Sequence, residues 1–256
     1  RDRRKGAMAA IGLGRDVVEP YLTSGIVVAC ENSGGSVTIS GDEDVVQDTI
    51  SKILVDNPDA LARKLKVEIG YHSHHMADVG QLYENLIQKE FADSNHDLTV
   101  PFYSSVTGET YTLSAGLNAS YWRENLESPV LFYSAANSLL TASGSGSVML
   151  EVGPHSALQG PLRQIIKETG SSAFYASCLT RGANSTTSLL KAVGQLHCNG
   201  VKIDFESLSQ GSTSLPNLPT YAWNHDNVYW RESRLSRDYR SRKYLSLIHI
   251  SERAGK

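Results

Sequence analysis

Ile26-Val27-Val28-Ala29-Cys30-Glu31-Asn32-Ser33-Gly34-Gly35-Ser36-Val37-Thr38-Ile39-Ser40 is a pair of β-branched runs around a Gly-Gly turn, and it reads as a β-hairpin. Upstream, Gly6-Ala7-Met8-Ala9-Ala10-Ile11-Gly12-Leu13 is a short apolar strand, and residues 16–22 suit a short helix. Downstream, Gly41-Asp42 precedes residues 43–54, where Val45, Val46, Ile50, Ile53 and Leu54 recur at helical spacing. Leu65-Lys66-Val67-Glu68-Ile69 then alternates as a strand does. The order over residues 6–69 is β-α-β-β-α-β, which predicts a ferredoxin-like, split βαβ unit.

Beyond Met76 the pattern changes to longer helices separated by single apolar strands. Helices are predicted over residues 79–91, 121–140, 158–169 and 186–197, the second interrupted at Pro129. Strands are predicted at residues 98–106, 148–152 and 173–179. That alternation over residues 70–205 predicts a parallel α/β sheet covered by helices on both faces. Residues 206–256 read as a linker and tail: residues 211–219 are rich in Ser, Pro and Gly. The aromatic segment Thr220-Tyr221-Ala222-Trp223-Asn224-His225, with Tyr229-Trp230, is expected to pack as an ordered strap, and the basic run 237–243 to be solvated.

With 256 residues, 20% of them charged, and a formal net charge of −3, the chain has no single-sign field to attract nucleic acid. No apolar run is long enough to cross a bilayer, and the expectation is a soluble, cytoplasmic protein. Cys30, Cys178 and Cys198 are widely spaced, without a CxxC pair; they are expected to be buried thiols. The sequence does not begin with Met, and its first five residues are all charged; a piece of a longer protein is expected.

The densest titratable group is His72, His74 and His75, in Ile69-Gly70-Tyr71-His72-Ser73-His74-His75-Met76, at a predicted strand-to-helix junction. Such junctions favour active sites in α/β folds. Three readings stand side by side. The first is a polar turn capped by Ser73. The second is a metal site; on an extended segment His72 and His74 share a side while His75 points away, and no second cluster completes a tetrahedron. The third is general-base catalysis, which needs a nucleophile to deprotonate. No G-x-S-x-G elbow occurs here, Ser143-Gly144-Ser145-Gly146-Ser147 having the composition but the wrong spacing.

Several segments together resemble the acyltransferase domains of polyketide synthases, above all the large iterative fungal enzymes, and more distantly the malonyl transferases of fatty-acid synthesis. They are Lys5-Gly6-Ala7-Met8-Ala9-Ala10-Ile11-Gly12-Leu13, Val28-Ala29-Cys30-Glu31-Asn32-Ser33, Ser36-Val37-Thr38-Ile39-Ser40-Gly41-Asp42 and Tyr71-His72-Ser73-His74-His75-Met76. Further on come Pro101-Phe102-Tyr103-Ser104-Ser105-Val106-Thr107-Gly108 and Tyr121-Trp122-Arg123-Glu124-Asn125-Leu126-Glu127-Ser128-Pro129-Val130. Glu151-Val152-Gly153-Pro154-His155-Ser156-Ala157-Leu158 and Leu218-Pro219-Thr220-Tyr221-Ala222-Trp223-Asn224-His225 complete the set.

The resemblance implies an α/β-hydrolase-like core with an inserted ferredoxin-like subdomain. It also implies ping-pong transfer of a malonyl-type group from coenzyme A, through a serine in a GHSxGE elbow, to the phosphopantetheine thiol of an acyl carrier protein. The family's histidine is the last residue of a four-residue motif followed by Ser and, three positions later, Met. That register implies His72 as the base and leaves His74 and His75 at variable positions. The resemblance implies an acceptor near Asn125, a main-chain carbonyl before Pro129, orienting the ring; Asn125 could equally be a helix cap.

Asn32, Ser33, Tyr71 and Ser73 are expected to line the cleft, although Asn32-Ser33 also suits a plain hairpin turn, and His155 is expected to be structural. No bound cofactor or metal is implied. The implied partners are acyl-CoA, the carrier protein, and ketosynthase and dehydratase domains of the same chain. The elbow serine and the family's carboxylate-binding arginine have no counterpart here, Arg1, Arg3 and Arg4 lying too close to the first strand. The chain alone is therefore expected to be inactive. The alternatives are a docking module that keeps the fold without turnover, and a histidine metal site. Residues 245–256 do not resemble the family's continuation, and which extender unit is selected is not legible.

Overall fold

The computed structural model describes residues 5–91, 97–209, 211, 213, 215–227 and 230–241. It divides into two compact units, Arg1–Ile203 and Asp204–Lys256. The segment expected at 6–69, and that expected at 70–205 as far as Ile203, both fall within the first unit.

Four strands form an antiparallel sheet: β1 (Gly6–Ile11), β2 (Ile26–Ser33), β3 (Ser36–Asp42) and β4 (Ala62–Lys64), in the spatial order β2-β3-β1-β4. A short helix α1 (Arg15–Val18), continued by a 3-10 turn over Glu19–Tyr21, joins β1 to β2; α2 (Glu43–Asp56) joins β3 to β4. Alternation along the strands puts Ala7, Ala9, Ile11, Val37 and Ile39 into one core with Val46, Ile50 and Ile53 of α2. β4 lies earlier than the strand expected at residues 65–69. There the chain stays close to β1 through single bonds, Leu65 N–H to the Met8 carbonyl at 2.8 Å and Gly6 N–H to the Glu68 carbonyl at 3.2 Å.

The next helix, α3 (His74–Ile87), begins five residues before the expected 79. A hairpin follows, β5 (Asp97–Tyr103) with β6 (Thr110–Leu113), in place of one buried strand over residues 98–106. The expected break at Pro129 separates α4 (Ala119–Glu127) from α5 (Phe132–Ser143). β7 (Val148–Glu151) and β8 (Phe174–Ser177) pair in parallel across α6 (Gln159–Thr169), and α7 (Ser185–Cys198) follows. Parallel pairing is therefore found at β7–β8, while β5–β6 is antiparallel. A second core gathers Ala136, Leu140, Leu162 and Ile165, with Met149 and Tyr175 against it.

One link between the small sheet and the segments that follow it is Val130. Its N–H bonds the Ala29 carbonyl at 2.7 Å and its carbonyl receives the Glu31 N–H at 2.8 Å, so the segment after α4 lies against β2. Residues 6–69 are thereby joined by main-chain bonds to the segment after α4.

In the second unit, α8 (Phe205–Leu208) is capped by Asp204, and Tyr221, Trp223 and Trp230 are each about two-thirds exposed or more. The Tyr221 and Trp223 rings touch with centroids 4.5 Å apart and planes tilted by 55°. Arg1, Arg3, Arg4 and residues 245–256 lie outside the described residues. Among the described residues no helix is long and apolar enough to cross a membrane. Of the three cysteines, Cys198 is exposed, so only Cys30 and Cys178 are even partly buried. The reason is that Cys198 is the last residue of α7.

Candidate functional site

His72 occupies the turn before α3 with φ of +60°, and among the described residues it is the one non-glycine with positive φ. That region is costly for a side-chain-bearing residue and persists where the surroundings hold it. The neighbours supply that hold. Ser73 is buried; its hydroxyl donates to the Gly70 carbonyl at 2.6 Å and accepts from the His75 N–H at 3.3 Å, which makes it the N-cap of α3. Gly70 is packed so closely that a Cβ there would lie 2.9 Å from the Ser73 hydroxyl and 3.1 Å from the Gly41 carbonyl oxygen.

The ring of His72 is fixed from the other side by α4. Its Nδ1 lies 3.1 Å from the carbonyl oxygen of Ser128, and the Asn125 carbonyl also acts on the ring. These carbonyls are among the last of α4, the end where main-chain acceptors are left over. Ser128 has extended geometry (ψ 159°), the conformation that the following Pro129 imposes, so its carbonyl swings away from the helix axis. The α3–α4 contact sets the separation. Arg123 of α4 bonds Gln81 and Glu84 of α3, each at 3.1 Å, and Glu127 of its own helix at 3.2 Å. Gly80 lets the helices approach; a Cβ there would sit 1.8 Å from a Glu127 carboxylate oxygen.

With Nδ1 donating to a carbonyl, Nε2 carries the lone pair and can accept a proton. Burial holds His72 below the ordinary imidazole range, against the opposing pull of the Ser128 and Asn125 carbonyls. A low-pKa imidazole stays neutral, hence basic, at neutral pH.

His74 and His75 do not flank His72 as an extended segment would have them. Both lie in the first turn of α3, and both Nε2 atoms converge on one oxygen of Asp42, at 3.1 Å and 2.9 Å. The expectation that His75 points away from His74 fails because the segment is already helical. Burial raises the Asp42 carboxyl, but the bonds from His75 and His74 outweigh it and hold the group below its usual range. Among the described residues, Asp42, His74 and His75 are the group whose ligand atoms, within 4.8 Å of one another, could hold a metal ion; His72 is not in it.

The remaining expected site residues divide. Tyr71, beside His72, is 42% exposed. Asn125 is not a cap: it sits inside α4 and reaches His72 by its main chain. Asn32 and Ser33 are on β2, where Asn32 donates to Thr38 at 3.1 Å and buried Ser33 donates to Gln164 of α6. Ser33 and Ser73 are both buried and committed to internal bonds. His155 accepts from Arg181 at 3.0 Å, while the turn around it is held by Glu151, whose carboxylate accepts from Ala157 and Leu158 N–H groups and from Tyr175. Sequence reasoning missed Asp42 as the histidines' partner and the Arg123–Glu84 tie; the one available signal was Asp42 at the start of α2, read there only as a helix signal.

The site's geometry is that of an imidazole oriented by a main-chain carbonyl, in a mixed α/β domain. Residues 2–203 match the model of the acyl transferase domain family, and the chain belongs to that family. It is 51% identical over 244 residues to a highly reducing polyketide synthase of Nectria sp, covering 95% of this chain and 10% of that protein. It is 46% identical over 249 residues to the squalestatin hexaketide synthase of Cochliobolus lunatus, covering 97% of this chain and 10% of that one. The chain spans about a tenth of the length of these curated relatives.

Among solved structures, the acyltransferase domain from module 8 of the salinomycin polyketide synthase superposes with a TM-score of 0.72 at 23% identity, over 80% of this chain and 47% of that one. The malonyl CoA-acyl carrier protein transacylase of Clostridium perfringens does so with a TM-score of 0.60 at 22% identity, over 75% of this chain and 58% of that one. The fold is that of polyketide synthase acyltransferase domains.

Proposed function

We propose that this chain supplies the general base of a malonyl-type acyl transfer within a cytoplasmic multidomain polyketide synthase, and that the base is His72. The observation that carries the reading is the bond from His72 Nδ1 to the Ser128 carbonyl. It leaves Nε2 to take the proton of a serine hydroxyl as that oxygen attacks the thioester of acyl-CoA. The same proton then goes to the departing thiol. In the second half the roles repeat with the carrier protein: its phosphopantetheine thiol, deprotonated by His72, attacks the acyl-serine and the serine oxygen recovers a proton. A carbonyl in place of the more usual carboxylate orients the ring without adding a full negative charge.

The nucleophilic serine is not in this sequence, which has no G-x-S-x-G, so the isolated chain would load no acyl group. The antiparallel order β2-β3-β1-β4 supports a ferredoxin-like subdomain over 6–69, and the parallel β7–β8 pair supports an α/β-hydrolase-like core over 70–205. Tyr71 and Asn32 are assigned to the cleft wall, and residues 206–256 to the linker that follows. Neighbouring ketosynthase and dehydratase domains are the expected company. The test is mass spectrometry of the full-length protein after incubation with malonyl-CoA and its carrier protein: transfer of the acyl mass to phosphopantetheine supports the reading, and a protein that takes up no acyl group is a docking module.

A further inference from the structure

We propose that Asp42 is a positioning residue for His72, acting through His75 and His74; this rests on His72 being the base. Asp42 stands at the N-cap position of α2, and Asp is a residue type that normally spends its carboxylate on the first N–H groups of the helix it begins. Here the side chain makes no such cap bond. One of its oxygens instead crosses to α3 and accepts from both His75 and His74. An available cap is left unused in favour of a tie between two helix starts.

The tie is rigid at its origin. Asp42 is the last residue of β3, is paired with Gly6 of β1, and bonds the Gly25 carbonyl through its N–H at 2.9 Å. It is rigid at its far end too, since the His75 side chain is only 12% exposed. Between these anchors lies the segment from Gly70 to His75. It contains the one positive-φ histidine, whose ring must meet Ser128 on α4. Ser73 caps α3 from inside the segment, but nothing in that cap fixes α3 against the small sheet. The Asp42 carboxylate does so, two residues beyond His72. Strain at His72 is thereby confined between a fixed helix start and a fixed carbonyl, the condition under which a base keeps its geometry.

The test is the full-length protein carrying Asp42→Ala or Asp42→Asn, with the pair His75→Ala and His75→Gln measured alongside. Asn keeps an oxygen that accepts from neutral Nε2–H groups, and Gln keeps a donor near the position of His75 Nε2. Asp42→Ala and His75→Ala are expected to lower the acyl-loading rate constant by about 10- to 100-fold, as a misplacement of order 1 Å does, with KM for malonyl-CoA within about twofold of the parent. Asp42→Asn and His75→Gln are expected to recover most of the loss. Unchanged loading in both alanine variants would overturn the proposal. So would losses in which the conservative partner fares no better, or in which KM changes alone. If Asp42→Ala does not fold, the His75 pair decides by the same criteria. Failure of the underlying reading is separate, because it would appear as full loading in His72→Ala.

Discussion

The Nδ1 atom of His72 lies 3.1 Å from the main-chain oxygen of Ser128, fifty-six residues away in sequence, and that contact joins the start of α3 to the end of α4. Its consequences are measurable in several independent ways.

The first is pH. Burial lowers the His72 pKa below 6.5, so on acidification the ring stays neutral past the point where a free imidazole is half protonated. The acid limb of kcat/KM for acyl loading is therefore expected to fall below pH 6.5. The sign is fixed: a lowered pKa moves the loss of base towards acid. A limb centred above pH 7 would contradict it.

Pro129 is the second. Pro129→Ala removes the restriction that keeps Ser128 extended, and α4 gains freedom to continue and carry the carbonyl back towards its axis. Loading is expected to slow by about tenfold with little change in KM, since orientation of the base is lost while substrate contacts stay. Steady-state kinetics of the variant would show this, and parent-like kcat would count against the role given to Ser128.

How far the sequence disclosed this arrangement depends on what kind of signal each part sends. The hairpin of the small sheet was legible because two β-branched runs, Ile26-Val27-Val28 and Val37-Thr38-Ile39, flank a Gly-Gly turn, a signal that holds even where, as in β3, both faces are buried. The start of α3 was not, because its first residues are two histidines, weak helix formers, and apolar periodicity becomes regular only from Val79. The β5–β6 hairpin was hidden because β6 is four residues long and three of them are exposed, leaving no alternation to read. At the site, His72 was singled out by the resemblance of its motif to a known family. Ser128 contributes a carbonyl, a group every residue carries, so only the position of Pro129 hinted at it. The convergence of His74 and His75 on Asp42 spans more than thirty residues and required the fold.

A third expectation concerns stability. Ile39 is fully buried between β3 and α2, and Ile39→Ala is expected to cost about 2–5 kcal/mol through lost burial and the cavity left behind. Denaturant titration would measure it; a loss below about 1 kcal/mol would mean the core is less tightly packed than described.

Thiol chemistry is a fourth. Burial pushes the Cys30 thiol up to about 11, leaving almost no thiolate at neutral pH, whereas Cys198 is exposed at the end of α7. Limited alkylation at pH 7.5 followed by peptide mapping is expected to mark Cys198 well before Cys30. The reverse order would show that β2 opens readily.

The central claim is that, of three histidines within four positions, His72 alone is the base, while His74 and His75 face Asp42. It is tested most directly by comparing acyl loading of the full-length protein carrying His72→Ala with that carrying His74→Ala. Loss of the general base is expected to cost about 10²- to 10⁴-fold. His74→Ala, which leaves His75 on Asp42, is expected to keep most of the activity. Equal losses in the two variants, or a larger loss from His74→Ala, would contradict the account.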